Sequence, residues 1–526
     1  MTEIASVWSS LGGDPALLSR VSAVERTGVL PARLPVRELA RACVGACALA
    51  AAELGARRAG GEVPAVRVDD GAVATAFVSE RHLRTGGRAA ESFAPLSRFW
   101  RTADGWVRTH ANYPHHRARL LAALGVADDP DAVAAAFAER SAREAEETVY
   151  AAGGLAVALR TPGEWAAHEQ AAALRSRPLV ELARLDASPA RALTRVGRDP
   201  LLPAAGLRVL DLTRVVAGPV ATRTLTLLGA DVLRVDAPWL PELPDQHADT
   251  GFGKRSALLD LGAGRDILEE LLATADVVVT GYRPGALDRF GLTPRVLAAR
   301  RPGVVVAELS AWGAYGPWDG RRGFDSLVQV ATGIAAVEGA EGRPGALPAQ
   351  ALDHGTGYLL AAGVLRALTG QADEGGSRLV RVALARTAGW LLEGAGDAAG
   401  RTADEVAPGP FERPGHADGR IAGGTAPGAT DETGLAAARA AGESMPGPAD
   451  GTEHVAEPTA GGTAPGARDE AGYVAVGEVD PGPWLAEADS PLGRLRYALP
   501  PVTFAGGPRD WARPPGSWGS DPARWD

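Results

Sequence analysis

The sequence predicts an α/β protein whose main domain is a Rossmann-like, doubly wound parallel sheet, accompanied by a smaller mixed domain. The first observation is a succession of an apolar strand over 207–213, a helix that ends at Leu228 and a strand over 231–236. A strand, helix and strand within about thirty residues form a βαβ unit, whose two strands are parallel. The second observation is that the alternation continues, with strands predicted over 256–261, 276–280, 304–309 and 379–383 and helices over 266–273 and after Asp353. Such repeated alternation is typical of a doubly wound sheet.

The first 200 residues are predicted to be largely helical. Helices are expected over 117–124, 131–151 and 161–174, and one strand over 105–109.

An internal sequence repeat relates this front region to the main domain. The segment that begins Leu347-Pro-Ala-Gln-Ala-Leu-Asp353 is answered by Leu34-Pro-Val-Arg-Glu-Leu-Ala40, and each is followed by an Ala/Leu-rich helix. Further on, Val380-Arg-Val is answered by Val66-Arg-Val. The offsets are 347 − 34 = 313 and 380 − 66 = 314. Asp353 carries a carboxylate, and the corresponding residue of the front segment, Ala40, does not. This difference predicts one functional site and a second site that has lost its function.

Composition bounds the class of protein. The chain has 526 residues, of which 46% are hydrophobic and 22% charged, which is ordinary for a soluble globular protein of several domains. A net charge of −10 argues against general nucleic-acid binding but permits a local basic pocket for an anion. We expect no secretory signal and no apolar run near the ~20 residues of a membrane span. A cytoplasmic protein is therefore expected.

Two residue types stand out by their rarity. Cys43 and Cys47 lie four apart on a predicted helix and are expected to be small core residues, not a disulfide or a metal site. Lys254 is the single lysine among 54 basic residues. It is there by chance or because a compact ammonium suits that position.

Residues 401–480 differ in composition from the rest of the chain. They are rich in Gly, Ala, Pro, Thr and acidic residues, and Gly-Gly-Thr-Ala-Pro-Gly-Ala occurs at 423–429 and again at 461–467. With few large apolar side chains, most of this segment is predicted to be a flexible insert. A Trp- and Pro-rich tail over 481–526 is predicted to return to the main domain.

A set of motifs in the main domain resembles the class III CoA-transferases, the CaiB/BaiF family. The motifs are, in chain order, Gly206-Leu-Arg-Val-Leu-Asp-Leu-Thr213, Ala217-Gly-Pro219, Leu228-Gly-Ala-Asp-Val-Leu-Arg-Val-Asp236, Gly253-Lys-Arg-Ser256, Ala275-Asp-Val-Val-Val-Thr-Gly-Tyr-Arg-Pro-Gly285, Leu309-Ser-Ala-Trp-Gly-Ala-Tyr-Gly-Pro317, Gly323-Phe-Asp325 with Gln329, and Leu352-Asp-His-Gly-Thr-Gly357. Their order and spacing make the resemblance specific. It implies transfer of coenzyme A between an acyl-CoA and a carboxylic acid, with no permanently bound cofactor.

The resemblance also implies a fused, partly degenerate tandem. Residues 1–200 are expected to be a partial copy that includes a region like the family's small domain, since Asp104-Gly-Trp-Val-Arg-Thr109 and Arg160-Thr-Pro-Gly-Glu-Trp165 resemble parts of it. Residues 201–400 are expected to be the large domain with the catalytic aspartate. The insert at 401–480 falls where the second copy's small domain would stand.

Asp353 is the predicted nucleophile. A carboxylate can attack a thioester carbonyl, and the CoA thiolate released can return to give an aspartyl-CoA thioester. An aspartate with its ordinary pKa near ~3.9 would be ionised at neutral pH, and Gly355 and Gly357 would leave room for an oxyanion. From spacing alone a helix N-cap is the alternative. His354 is expected to flank the pocket and not to pair directly with Asp353.

The resemblance assigns six further residues to CoA binding: Val215, Lys254, Arg255, Arg283, Arg289 and Arg322. The arginines and the lysine would neutralise phosphates, and Val215 lies in the first βα loop, where backbone groups approach a nucleotide. For each arginine alone, a solvated surface charge is an equal alternative. Two departures from the family pattern are Ala237, where an arginine is usual, and Gly281, where an asparagine is usual.

Two alternative functions and two assembly states remain open. An acyl-CoA racemase of the same superfamily would need a histidine at Phe324, and phenylalanine cannot carry a proton. A non-catalytic CoA-binding scaffold is the other alternative. A nicotinamide enzyme is disfavoured because the first turn lacks Gly-x-Gly-x-x-Gly. The expected partners are an acyl-CoA and a small carboxylic acid, with no nucleic acid or membrane, and either a homodimer or an intrachain pseudo-dimer.

Overall fold

A computed structural model describes residues 2–91, 93–190, 192–403 and 479–525. The predicted insert at 401–480 therefore lies outside the described residues, apart from a few at its two ends. Contacts divide the chain into a unit of residues 1–399 and 466–526 and a unit of residues 400–465, and the following description concerns the first.

The described residues form helices and strands along the whole first unit. The α-helices are α1 (Thr2–Ser10), α2 (Val36–Ala59), α3 (Asp70–Phe77), α4 (Ser79–His82), α5 (Pro114–Leu124), α6 (Pro130–Ala138), α7 (Ala142–Ala151), α8 (Pro162–Ala166), α9 (Glu169–Arg175), α10 (Ala217–Leu227), α11 (Pro244–Thr250), α12 (Arg265–Thr274), α13 (Pro294–Arg300), α14 (Asp325–Ala331), α15 (Ile334–Val337), α16 (Ala351–Glu374) and α17 (Leu384–Ala403). The strands are β1 (Val21–Val24), β2 (Val66–Asp69), β3 (Arg84–Thr85), β4 (Arg88–Ala89), β5 (Phe99–Arg101), β6 (Trp106–Thr109), β7 (Ala156–Ala158), β8 (Glu181–Arg184), β9 (Arg208–Leu212), β10 (Asp231–Asp236), β11 (Arg255–Leu258), β12 (Val277–Thr280), β13 (Val305–Ser310), β14 (Arg378–Ala383), β15 (Leu485–Ser490) and β16 (Gly493–Ala498).

The main sheet has seven strands in the order β11-β10-β9-β12-β13-β14-β8. Six of them are parallel, and only β8 runs antiparallel, beside β14. The first six follow the order of a doubly wound sheet, which reverses between β9 and β12. Helices cover both faces, so strands such as Val277-Val-Val-Thr280 are continuous apolar runs instead of alternating ones. The predicted fold class is confirmed.

The smaller mixed domain is built on the antiparallel sheet β5-β6-β7. Helices α5, α6 and α7 pack on it around a separate apolar core that includes Trp100, Leu120 and Phe137. The two long helices predicted in this part of the chain are each broken in two. Ser141 and His168 cap the backbone of the residues two or three positions after them, which begins a new helix at each place.

Helix α16 is the centre of the main core and packs against α2 and α10. Gly355 faces α2, where an added Cβ would lie 3.0 Å from Leu39 Cδ2. Gly357 faces α10, where an added Cβ would lie 2.6 Å from the carbonyl oxygen of Ala217. The two glycines after Asp353 therefore serve close helix packing.

Helix α2 is long and apolar enough to cross a membrane by length and composition, yet 94% of its most apolar stretch is buried inside the protein. No such run was expected from the sequence, and the helix carries four arginines. The structure buries two of these: Arg41 bonds to Asp70 at 2.6 Å, and Arg58 donates to three backbone carbonyls. Cys43 and Cys47 are fully buried in this helix as free thiols, and burial raises the pKa of each, as expected for core residues.

The front region repeats the order of elements found at the other edge of the main sheet. β1-α2-β2-α3 corresponds to β13-α16-β14-α17, and in both cases the two strands pair in parallel. Helices α2 and α16 are each 24 residues long. The front segment lacks counterparts of α14 and α15. In α2, Ala40 stands at the position that corresponds to Asp353 in α16. Ala40 is buried, and its neighbour Arg41 forms an ion pair with Asp70.

The two halves exchange segments that follow these strands. β8, from the front region, pairs with β14 of the main sheet, so that Leu182 lies opposite Val380. Phe504, from the C-terminal tail, bridges to Val66 of β2 in the same antiparallel sense. The tail also completes an antiparallel sheet with the front region, in the order β15-β16-β3-β4. Each half thus supplies a segment to the other's sheet.

Replacement of Gly357 by alanine is expected to destabilise the protein by about 1–3 kcal/mol, because its Cβ meets a backbone carbonyl that cannot move independently of α10. Gly370→Ala in the same helix is the matched control, since nothing lies within 4 Å of the added Cβ. There the gain in helix propensity is expected to stabilise by up to about 1 kcal/mol. Denaturant unfolding of both variants measures the difference, and equal effects would contradict the packing assignment.

Candidate functional site

The candidate site is a cavity of about 500 Å³ at the carboxyl ends of β9, β10, β12 and β13, where the strand order of the sheet reverses. Ligands of open α/β sheets bind at this position. We call it the central cavity. Its wall contains Asp353, residues of the loops that follow these strands, and residues of the front region.

Asp353 lies in the first turn of α16 and is 5% exposed. Gln350 occupies the N-cap position, and Asp353 makes no capping bond, so the N-cap alternative is wrong. Its Oδ2 atom is buried and has no hydrogen-bond partner among the described residues. A buried carboxylate oxygen without a partner is costly, and such groups occur where function requires them.

Asp325 fixes the start of α16. Its Oδ2 atom accepts hydrogen bonds from the backbone N–H groups of Leu352, at 2.9 Å, and Asp353, at 3.0 Å. Its Oδ1 atom accepts from the side chain of Gln329, whose own amide oxygen accepts from the backbone of Leu347. A carboxylate from α14 therefore caps the N-terminus of another helix, and this cap sets the position of Asp353.

The pKa of Asp353 is raised well above its ordinary value, first by burial and then by the negative charges of Asp325 and Glu80. Burial also raises the pKa of Asp325 to about 6, against its hydrogen bonds with the backbone. The expectation that Asp353 is ionised by its ordinary pKa was therefore wrong in direction. The two carboxyl groups titrate as a pair.

His354 is not part of the wall of the central cavity and contacts residues of the front region. Its ring stacks on Phe77 with centroids 5.3 Å apart, and its Nε2 atom lies 3.7 Å from Glu80 Oε2. Glu80 belongs to α4 of the front region, so a front-region carboxylate acts on both His354 and Asp353.

The first βα loop is held by Glu242, a fully buried carboxylate. It accepts from the backbone N–H of Val215 at 3.0 Å and from Arg234 at 2.9 Å, and it also bonds the hydroxyl of Tyr113 in the front region. The neighbouring arginines keep the pKa of Glu242 at about 2 although burial opposes this. Val215 has φ 72°, a strained conformation for a β-branched residue, and Glu242 is the group that stabilises it.

Of the six residues predicted to bind CoA, four line the central cavity: Val215, Arg283, Arg289 and Arg322. The N–H of Val215 is occupied by Glu242, so only its other atoms face the cavity. Within the described parts of the chain, no carboxylate pairs with the three arginines. Burial and the positive charges of Arg283 and Arg119 lower the pKa of Arg322. The guanidinium groups of Arg119, Arg283 and Arg322 therefore lie in the same region of the cavity wall.

Lys254 and Arg255 do not line the cavity, which corrects their predicted role. Lys254 is 1% exposed and bonds to Asp211 at 3.1 Å and to the carbonyl of Pro219 at 3.0 Å, and burial lowers its pKa to about 8. Arg255 bonds to Asp231 at 2.7 Å and to the carbonyl of Arg524, which fixes the C-terminal tail on edge strand β11. Both cations hold the fold together.

Residues of the front region that the sequence analysis did not single out also line the cavity. They are Tyr113, His115, His116 and Arg119, all on or next to α5. Here His110 stacks on Phe324 with ring centroids 3.6 Å apart. The dense run Tyr113-Pro-His-His-Arg117 in an otherwise Ala-rich helix was the one available signal. The two departures, Ala237 and Gly281, also line the cavity.

The fold and the site define a doubly wound α/β protein. At the point where the strand order reverses, a buried aspartate lines the same cavity as three arginines that have no carboxylate partner among the described residues. Residues 204–418 match the model of CoA-transferase family III. In the residues that the structure describes, no group of three or more His, Cys, Asp or Glu side chains could hold a metal ion.

Several curated proteins are similar to the same part of the chain. An acetyl-coenzyme A transferase of Hypoxylon pulicicidum is 36% identical over 207 residues, which are 38% of this chain and 35% of the relative. A probable fatty acyl-CoA transferase of Mycobacterium tuberculosis is 35% identical over 202 residues, or 35% of this chain and 51% of the relative. A formyl-CoA:oxalate CoA-transferase of Streptomyces coelicolor is 36% identical over 193 residues, or 34% and 47%. The chain thus spans a third to a half of the length of these relatives.

Two solved structures are also similar in sequence to part of the chain. A protein of M. tuberculosis is 34% identical with a TM-score of 0.35, covering 40% of this chain and 59% of that one. A CaiB/BaiF family protein of Brucella suis is 29% identical with a TM-score of 0.34, covering 39% and 59%.

Replacement of Asp353 by asparagine is expected to stabilise the protein at neutral pH. A carboxyl group whose pKa is raised by folding binds more protons in the native than in the unfolded state, so stability falls as pH rises through its range. Asparagine removes this cost, which is absent below pH ~4. Thermal unfolding should give a gain on the order of 1 °C or more at pH 7.5 and almost none at pH 4.

The control for this prediction is Asp319→Asn, since Asp319 is exposed in a loop. It is expected to shift the melting temperature equally at both pH values. A gain for Asp353→Asn that did not grow with pH would contradict the raised pKa.

Proposed function

We propose that the protein transfers coenzyme A between an acyl-CoA and a carboxylic acid, with Asp353 as the nucleophile and an aspartyl-CoA thioester as the intermediate. The observation that carries this proposal is that Asp353 lines the central cavity, while its buried Oδ2 atom has no hydrogen-bond partner among the described residues. The relatives that bear the names of CoA-transferases support it.

The reaction balances without any other reactant. The Asp353 carboxylate attacks the thioester carbonyl, which breaks the C–S bond and gives a mixed anhydride and CoA thiolate. The thiolate attacks the aspartyl carbonyl of the anhydride, which releases the donor carboxylate and leaves the aspartyl-CoA thioester. The acceptor carboxylate attacks this thioester, and the thiolate then attacks the acceptor's carbonyl, which restores Asp353 and yields the new acyl-CoA.

The raised pKa of Asp353 fits a nucleophile. An oxyanion that receives no hydrogen bonds and little solvent is less stabilised in the ground state, so it is more reactive once ionised. Only the ionised form attacks, and the pair of Asp325 and Asp353 therefore governs the acidic limb of the pH–rate profile. Asp325 acts as a positioning residue, through the start of α16.

Arginines of the cavity wall supply the countercharge for the phosphates of CoA. Arg283, Arg289 and Arg322 come from the main domain and Arg119 from the front region. Guanidinium groups without internal carboxylate partners remain available for phosphate oxygens, which they can bind in bidentate fashion. Lys254 and Arg255 have no part in this proposal, because their charges are already paired inside the fold.

We also infer that residues 1–200 are the partial copy of a fused tandem and that one chain imitates a pair of interlocked subunits. The repeated element order, the exchanged segments β8 and Phe504, and the cavity residues of α5 support this. In this interpretation the front copy has Ala40 in place of a nucleophile, but it retains the side chains of α5 that line the central cavity.

The racemase and scaffold alternatives lead to different results in the same assays. Position 324 carries a phenylalanine that stacks on His110 and cannot exchange a proton. Exchange of an α-proton with solvent deuterium without transfer of CoA would favour the racemase, and CoA binding without turnover would favour the scaffold.

Replacement of Asp353 by alanine or asparagine is expected to lower CoA exchange between an acyl-CoA and a free acid by about 10³-fold or more, since the variant lacks the proposed nucleophile. Hydroxylamine added to the wild type with an acyl-CoA should convert Asp353 to a hydroxamate with release of CoA, which peptide mass spectrometry locates. Full activity of the variant, or a label at another residue, would overturn the nucleophile assignment.

Replacement of Arg119 by alanine is expected to raise the KM for acyl-CoA about 5- to 50-fold, because one guanidinium that faces the phosphates is lost. Arg117→Ala is the matched control: it lies on the same helix but pairs with Asp128 at 2.7 Å and is outside the cavity wall. Steady-state kinetics should separate the two variants. Equal KM values would count against a contribution of the front region to substrate binding.

A further inference from the structure

Trp239 is a conspicuous side chain at the rim of the central cavity. It is 65% exposed, whereas the other exposed large hydrophobic residues in the described parts of the chain are only 37–39% exposed. A large aromatic face left in water is unusual in a folded protein unless a ligand or partner covers it. Because the ring also lines the cavity, we expect its ligand to bind in the cavity.

The loop that carries Trp239 is fixed by hydrogen bonds to its backbone. The backbone N–H of Leu240 donates to the carbonyl of Ala237 at 3.0 Å, which closes a turn around Trp239. Arg214 donates to the carbonyl of Leu240 at 2.9 Å and to that of Pro241 at 2.7 Å. The next residue is Glu242, the buried carboxylate that fixes the first βα loop. The indole is therefore presented on an ordered support, which lowers the entropy cost of binding a flat ligand.

The position in the sheet indicates the kind of ligand. Trp239 follows β10, the second strand of the doubly wound order, and in such sheets a nucleotide lies across the carboxyl ends of the first strands. An acidic residue at the end of that strand can bind ribose hydroxyls, but Asp236 is already bonded to Arg234 and to the indole N–H of Trp518. The carboxylate of Asp236 thus already has partners inside the protein, and the loop after it presents an aromatic face to the cavity.

We propose that Trp239 stacks on the purine ring of coenzyme A, so that the protein selects nucleotide-bearing thioesters over simple pantetheine thioesters. Every base has an aromatic face, and stacking on tryptophan contributes substantially to the binding of flexible nucleotides. Arg289 and Arg283, on the same cavity wall, meet the adjoining phosphates. This inference rests on the proposed function only for the identity of the thioester.

Binding of adenosine 3′,5′-bisphosphate, the nucleotide end of CoA without thiol or acyl group, tests the contact directly. Calorimetry on the full chain is expected to show that Trp239→Ala weakens binding about 5- to 100-fold and that Trp239→Phe, which keeps an aromatic face, loses much less. Ile267→Ala, an exposed apolar residue on α12 outside the cavity wall, is the control and should bind as the wild type does. Thermal unfolding verifies that all three variants are folded.

Kinetics with two donors test the selectivity. With an acyl-CoA, Trp239→Ala should raise KM by the same factor as in the binding experiment and leave kcat unchanged. With the corresponding acyl-pantetheine, which lacks the nucleotide, variant and wild type should have equal KM values.

Two results would overturn the inference: equal nucleotide affinity of the wild type and Trp239→Ala, or a KM increase that is the same for both donors. Nucleotide binding that depends on Trp239 in a protein without CoA transfer would retain the stacking contact and reject the proposed reaction. The two proposals can therefore fail separately.

Discussion

The carboxylate of Asp325 is the interaction on which the site depends. By accepting the backbone N–H groups of Leu352 and Asp353, it determines where the first turn of α16 begins. Burial raises the pKa of Asp353, and the negative charge of Asp325 raises this pKa further. One residue thus both positions the proposed nucleophile and makes its ionised form less stable. Because α16 also packs against α2 and α10 through two glycines, this turn cannot shift without disturbing the main core.

The central cavity belongs to two parts of the chain that are distant in sequence. The sheet contributes strand ends and loops, and the front region contributes α5 and the hydroxyl of Tyr113, which bonds the buried Glu242. Exchange of β8 and of the C-terminal tail ties the same two parts together. Both parts are therefore needed to form the wall of the cavity. In the front region, the position that corresponds to Asp353 is Ala40, beside the ion pair of Arg41 with Asp70.

The charged residues of this protein fall into two groups with different roles. Lys254, Arg255 and Arg234 are paired with carboxylates inside the fold, where removal of one partner would leave a buried charge. Arg283, Arg289 and Arg322 face the cavity without such partners in the described residues. The sequence alone does not distinguish the two groups, because it shows where a cationic residue stands and not which anion that residue contacts.

The sequence by itself determined the order of strands and helices in the main domain, because apolar runs and helix-ending glycines are local signals. It also singled out Asp353, through a motif and through the contrast with Ala40. Only the tertiary structure decided which cations reach the cavity, that Asp325 caps α16, that Gly355 and Gly357 serve helix packing, and that α5 completes the site. These features depend on distances between residues far apart in the chain. Burial and neighbouring charges, which set the pKa of Asp353, exist only after those residues have come together.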